Sequence, residues 1–165
     1  ETYGIWGFVG ASLLKGLLLF FIAPPESVTP IYVLYTAENV IHVVAITAVA
    51  AAAITAGNFL IYLIARVFGD RFLGEGGFPG EWILELALHR YTRLSMVVFR
   101  LIPVTGGIVA IPAGLVRVPL RLFLVYSFVG FFLYEAVFAF LAFYGIKMGY
   151  LPQLQFLAAL VGPTA

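Results

Sequence analysis

The stretch VIHVVAITAVAAAAITAGNFLIYLIA, residues 40–65, decides the class of this protein. A helix needs about 20 apolar residues to cross a bilayer. This run exceeds that, with only His42 and Asn58 interrupting it. Its dense alanine and leucine favour helix. A second run, Leu122 to Ile146, has the same character and carries Glu135 as its single acid or base. The whole composition agrees. Of 165 residues, 63% are apolar and 10% charged, against about 25% charged in a soluble domain. Mean hydropathy is +1.08. Too few charges remain to cover a water-exposed globule, so the sequence reads as an integral membrane protein. Nine basic and eight acidic side chains give a net charge of +1. No clustered basic footprint of the kind nucleic acid requires is present. The absence of Cys excludes disulfides and thiolate metal sites.

Two further apolar stretches are broken. Gly16 to Ala37 contains Pro24, Pro25, Glu26 and Pro30. Leu94 to Val116 contains Pro103, Gly106, Gly107, Pro112 and Gly114. Proline removes a backbone donor and clashes with the preceding turn. A break at membrane depth is viable only where protein or a water cavity satisfies the freed groups. Each stretch is therefore expected to be a re-entrant hairpin, broken at those prolines and glycines; a kinked spanning helix is the alternative. The order hairpin, spanning helix, connector, hairpin, spanning helix predicts an all-α membrane protein of two inverted repeats. Repeat one covers about 16–69, the connector 70–93, repeat two about 94–149, and a C-terminal segment 150–165, all within one membrane domain. The stretch after Lys15 has no small-residue cleavage site and does not read as a signal peptide.

The connector holds many of the charges and a loop rich in glycine, followed by a short amphipathic helix expected over Glu81–Arg93. Under this topology Arg66, Arg71, Arg90, Arg93, Arg117 and Arg121 fall on one face, with Lys15 and Lys147 on the other. The basic face is then cytoplasmic, and the protein is expected as a multi-pass resident of the cytoplasmic membrane.

Three charges lie deep in the apolar runs: Glu26, Arg100 and Glu135. An ionisable group at membrane depth is a functional candidate by default. Glu26 and Arg100 sit at the two breaks and can pair if the breaks meet, as a transport site or as a structural tie. Arg100 also suits a phosphate, because its planar fork grips oxyanions with two parallel bonds. Helix ends at the breaks add N–H donors for an anion. Glu135 is open to three readings: a proton carrier, a partner for Arg100, or a packing group in a polar seam. Asn58 can hydrogen-bond across helices. His42 reads as a satisfied interfacial residue. No nucleophile or metal motif is present, and the two His residues stand on different elements. The protein is expected to be neither an enzyme nor a carrier of metal or cofactor.

Arg100-Leu-Ile-Pro103 followed by Ile111-Pro-Ala-Gly114 resembles the DedA family, also called VTT or SNARE-associated Golgi proteins. Pro24-Pro25-Glu26 with Pro30 looks like the family's first hairpin. Gly57-Asn58, Tyr62, Ala65-Arg66 and Gly69 look like its helical series. The resemblance covers roughly Leu19 to Gly149. It implies lipid transport: flipping of a polyprenyl phosphate or phospholipid, often tied to protons. By position Glu26 and Arg100 match two of the family's essential charged sites, whereas Glu135 stands where the family usually has a neutral polar residue; Asn58, Glu135 and Arg66 complete the residues expected at the transport site. Two departures stand out. A family Arg falls at Gly106 and a family Asp at Asn58. One charge of each sign has gone together, as when an ion pair is lost without leaving a lone charge. That puts the usual proton coupling in doubt, with Glu135 as a substitute. The expected partners are membrane lipids with an anionic phosphate headgroup, and protons. Competing readings are a scramblase, a small-solute transporter, or a structural or regulatory membrane protein without transport, for instance a homo-oligomer.

Overall fold

The computed structural model describes residues 2–17, 27–73, 97, 100, 101 and 109–147. Every described element is helical: α1 (Thr2–Gly16), α2 (Val28–Thr36), α3 (Val40–Leu73), α4 (Ala110–Leu115) and α5 (Leu120–Phe140), which continues as a π-helical segment, Leu141–Lys147. The expected breaks at Pro24, Pro25 and Glu26, and at Pro103, Gly106 and Gly107, lie outside the described residues, as do the amphipathic connector helix and the segment 150–165.

Helix α3 starts where its cap dictates. The Asn39 side-chain oxygen accepts the His42 N–H at 2.9 Å, and the His42 ring accepts the Glu38 N–H at 3.5 Å. This reciprocal arrangement satisfies donors that a helix start leaves open. The helix then buries Val43, Thr47, Ala50, Ala51, Ile54, Asn58 and Tyr62, one stripe at three- and four-residue spacing. Its opposite face exposes Ile41, Val44, Leu60, Ile64 and Val67. Helix α5 repeats the pattern. It buries Phe123, Ser127, Gly130, Phe131, Tyr134, Glu135 and Ala139 and exposes Val125, Phe128, Val129, Leu133 and Val137. In water the outward faces would be polar; here they are as apolar as the inward ones, which suits lipid. Val40–Phe68 and Leu120–Ile146 are both long and apolar enough to cross a membrane.

The two long helices run antiparallel. Tyr62 stacks on Phe123 with ring centroids 4.4 Å apart. Ala51 and Ile54 meet Phe131 at mid-length, and Val43 meets Ala139 and Phe143 at the far end. The short helices sit at opposite ends. Helix α2 leads into α3, yet its Val33 packs against Ala139 and Phe143 of α5 and its extension. Helix α4 leads into α5, yet its Ala110 and Ala113 pack against Tyr62 of α3. Each short helix thus rests on the end of the other half's long helix.

Three expectations need correction. Pro30 and Pro112 do not break helices; they stand in the first turns of α2 and α4, where the missing N–H has no helical acceptor in any case. Gly114 lies inside α4, where it permits contact: a Cβ there would stand 2.7 Å from the Ala65 methyl group. Finally, Gly16 ends a helix instead of beginning one. Helix α1 precedes it and packs on α3 through glycine. A Cβ on Gly16 would come within 3.0 Å of the Gly57 Cα. Such close backbone approach is how small residues join helices in lipid.

Candidate functional site

Lys15 of α1, Asn58 of α3, Glu135 of α5 and the buried Arg100 gather into one seam at mid-length of the bundle. Arg100 is its largest member and is 1% exposed. Its Nη1 donates to the Asn58 side-chain oxygen at 3.2 Å. Its guanidinium lies over the Phe131 ring at 4.5 Å and the Phe123 ring at 5.3 Å. Cation–π contacts of this kind are worth about 2 kcal/mol when desolvated. Room for the arginine stem comes from Gly130, where a Cβ would stand 2.9 Å from the Arg100 Cβ.

Asn58 faces two ways. While its oxygen accepts from Arg100, its Nδ2 donates to the Gly16 carbonyl at 2.8 Å. That carbonyl belongs to the last turn of α1, where helical acceptors are orphaned. One amide therefore ties α3 to α1 and to Arg100. The next residue back, Lys15, forms a buried ion pair with Glu135 of α5, Nζ to Oε1 at 2.5 Å. The lysine side chain is 9% exposed and the glutamate 1%. Lys15 also sits over the Tyr134 ring at 5.4 Å. A cation in the last turn of α1 is favoured by the helix dipole, and the carboxylate offsets its desolvation.

This arrangement corrects two expectations. Glu135 takes Lys15 as its ion-pair partner, so the reading of it as the counter-charge of Arg100 gives way. Lys15 does not mark a membrane face; its neighbour Gly16 abuts Ile54 and Gly57 near the middle of α3. Lys15 leaves the balance of bases that set the orientation. Arg66 and the Arg117–Arg121 turn do share one end.

The structure brings Asn58, Arg100 and Glu135 into one seam but puts Arg66 elsewhere. Arg66 lies two turns beyond Asn58, about 12 Å along α3. Its Nη1 donates to the Tyr62 hydroxyl and to the Val118 carbonyl at 3.3 Å. Tyr62 donates to the same carbonyl at 2.5 Å. Arg66 therefore fixes the turn between α4 and α5. Glu26 falls outside the described residues. Lys15, Ser12 and Ser127 belong to the seam but were not singled out from the sequence. A serine in an apolar run carries little signal, although the close Gly16–Gly57 contact marks where α1 must enter.

Against this geometry, the VTT domain profile matches residues 24–147. The chain belongs to the VTT family, the domain of the DedA proteins. Asn58, Arg100 and Glu135 fall inside the matched range, and α1 with Lys15 falls before it. No curated protein and no solved structure matches the chain. The VTT family is membrane-associated, which agrees with the two long apolar helices and their lipid-suited outer faces.

Proposed function

We propose that this VTT protein is a transporter that flips a lipid phosphate, a polyprenyl phosphate or a phospholipid, across the cytoplasmic membrane. The observation that carries this reading is Arg100. A guanidinium held at mid-depth by Asn58 and two aromatic rings is costly. Its planar fork is suited to a phosphate headgroup. The exchanged seating of α2 and α4 supports an inverted repeat, in which two broken segments flank a midplane site. In this reading Glu26 and Arg100 line the site, with Asn58 positioning the arginine and Glu135 the acid that a proton gradient acts on. No chemical step on the lipid is involved.

The test is reconstitution. Proteoliposomes carrying a fluorescent polyprenyl phosphate should show protein-dependent flipping, and Arg100→Ala should lower it at least about tenfold, the loss of one charge-assisted contact, while still inserting. Unchanged flipping by Arg100→Ala removes the arginine from the reading. Repeating the assay with and without a pH gradient separates coupled from uncoupled transport.

One observation favours a second reading. The seam is closed in this structure, with Arg100 and Glu135 both 1% exposed. A sealed network of this kind also suits a membrane protein that holds helices together without moving lipid. Absence of flipping for every lipid phosphate tried, in a protein that is folded, favours that alternative.

A further inference from the structure

Lys15 lies outside the residues matched to the family, yet it enters the same seam as Arg100. The two cations are linked by a short path. Asn58 bonds Arg100 with its oxygen and bonds the residue after Lys15 with its nitrogen. On α5 the groups beneath them are successive: Phe131 lies under Arg100, and Tyr134 and Glu135 meet Lys15 one turn on. Two serine hydroxyls flank this path. Ser12 stands one turn before Lys15 on α1, and Ser127 stands between Phe123 and Phe131, the rings that hold Arg100. Both are buried, at 1% and 0% exposure. Neither hydroxyl has a hydrogen-bond partner among the described residues. A buried donor without an acceptor is unfavourable, and beside two cations a phosphate oxygen is an acceptor that would satisfy it. The seam thus places the Lys15–Glu135 pair and two open hydroxyls beside the Arg100 guanidinium.

We propose that Lys15 is a phosphate-binding residue of the transport site, held in reserve by Glu135 until a phosphate monoester displaces the carboxylate. This rests on the reading of the protein as a lipid-phosphate transporter. In that exchange Lys15 trades one oxyanion for another of higher charge, and its position beside Gly16 keeps it coupled to Asn58 and Arg100. The residue takes the part of a second cation next to Arg100, supplied from α1.

The experiment uses the full chain in detergent and measures binding of farnesyl monophosphate, with farnesol as the neutral control. Glu135→Gln frees Lys15 and should bind farnesyl monophosphate about tenfold tighter than wild type, within the usual size of a coupling between two competing groups. The double variant Lys15→Met with Glu135→Gln has no charge in the pair, so it is not burdened by an unpaired buried ion. It should lose that gain and bind more weakly than wild type, while farnesol binding stays level. A competing arm with inorganic phosphate separates the sources of the anion. Displacement of farnesyl monophosphate assigns recognition to the phosphate alone, and lack of displacement assigns it to the lipid-borne group; both support the proposal. Equal affinity in wild type, Glu135→Gln and the double variant overturns it, as does an absence of binding in all three. If the binding pattern holds but proteoliposomes move no lipid phosphate, the transport reading fails and the binding role of Lys15 stands.

Discussion

The two ends of the bundle have the same plan and different fastenings. At each, a short helix and the turn after it pack against a long helix of the other half. At the Tyr62 end the joint is polar as well as apolar. Tyr62 and Arg66 both donate to the Val118 carbonyl, and Gly114 lets α4 lie against the α3 backbone. The turn itself follows the Schellman pattern: Val118 N–H bonds Ala113 and Arg117 N–H bonds Gly114. At the Phe143 end, Val33, Ala37, Val43, Ala139 and Phe143 meet in an apolar cluster, and α5 continues there as a π-helical segment. The same plan is therefore fastened by side-chain bonds to the Val118 carbonyl at one end and centred on an apolar cluster at the other. The first kind resists sliding; the second tolerates it.

The contrast can be broken in a definite order. Phe143→Ala should cost the most, about 3 kcal/mol, because in lipid the packing of side chains is the main cohesion and a cavity replaces it. Hydrogen exchange should then rise in residues 28–37 and stay level in 109–118; a uniform rise would show the two ends are not separable. Gly114→Ala should follow, at about 2 kcal/mol, since the added methyl meets the Tyr62 carbonyl and the Ala65 methyl, neither of which can swing aside. Its exchange signature should be the reverse. Tyr62→Phe removes the bond to Val118 and the acceptor of Arg66 and keeps the ring stack, so thermal unfolding in detergent should register a loss of about 1.5 kcal/mol. The smallest change runs the other way. Arg117 has φ 55°, a left-handed conformation that costs a side-chain-bearing residue about 1 kcal/mol. Arg117→Gly should relieve that cost and raise the midpoint, making the stapled end tighter still.

Much of this was legible in the residues. The runs from Val40 and from Leu122 become the long helices, with starts at Val40 and Leu120. The depth of Asn58, Arg100 and Glu135 followed from their setting, because a polar group in an apolar run must find a partner inside. What could not be read was which partner. Lys15 is 120 positions from Glu135, and a lysine at the edge of an apolar run looks like a residue whose head reaches the membrane surface. Helix α1 was hidden for a related reason. Its glycines weaken local propensity, and the close approach of Gly16 to Gly57 on α3 supplies packing that propensity does not. Pro30 and Pro112 misled because the effect of proline depends on its place. The same ring that breaks a helix interior is harmless in a first turn.

The exchanged seating of the short helices has a consequence for how the chain comes to be built. Helix α2 is synthesised before α5, so the surface it occupies, Ala139 and Phe143, is made about a hundred residues after it. The first half enters the bilayer with its own core unfinished. Its closing contacts are long-range, so they carry a large loop-closure cost and form slowly. Assembly is thus a late, concerted event, and a chain truncated before α5 would leave α2 without a seat.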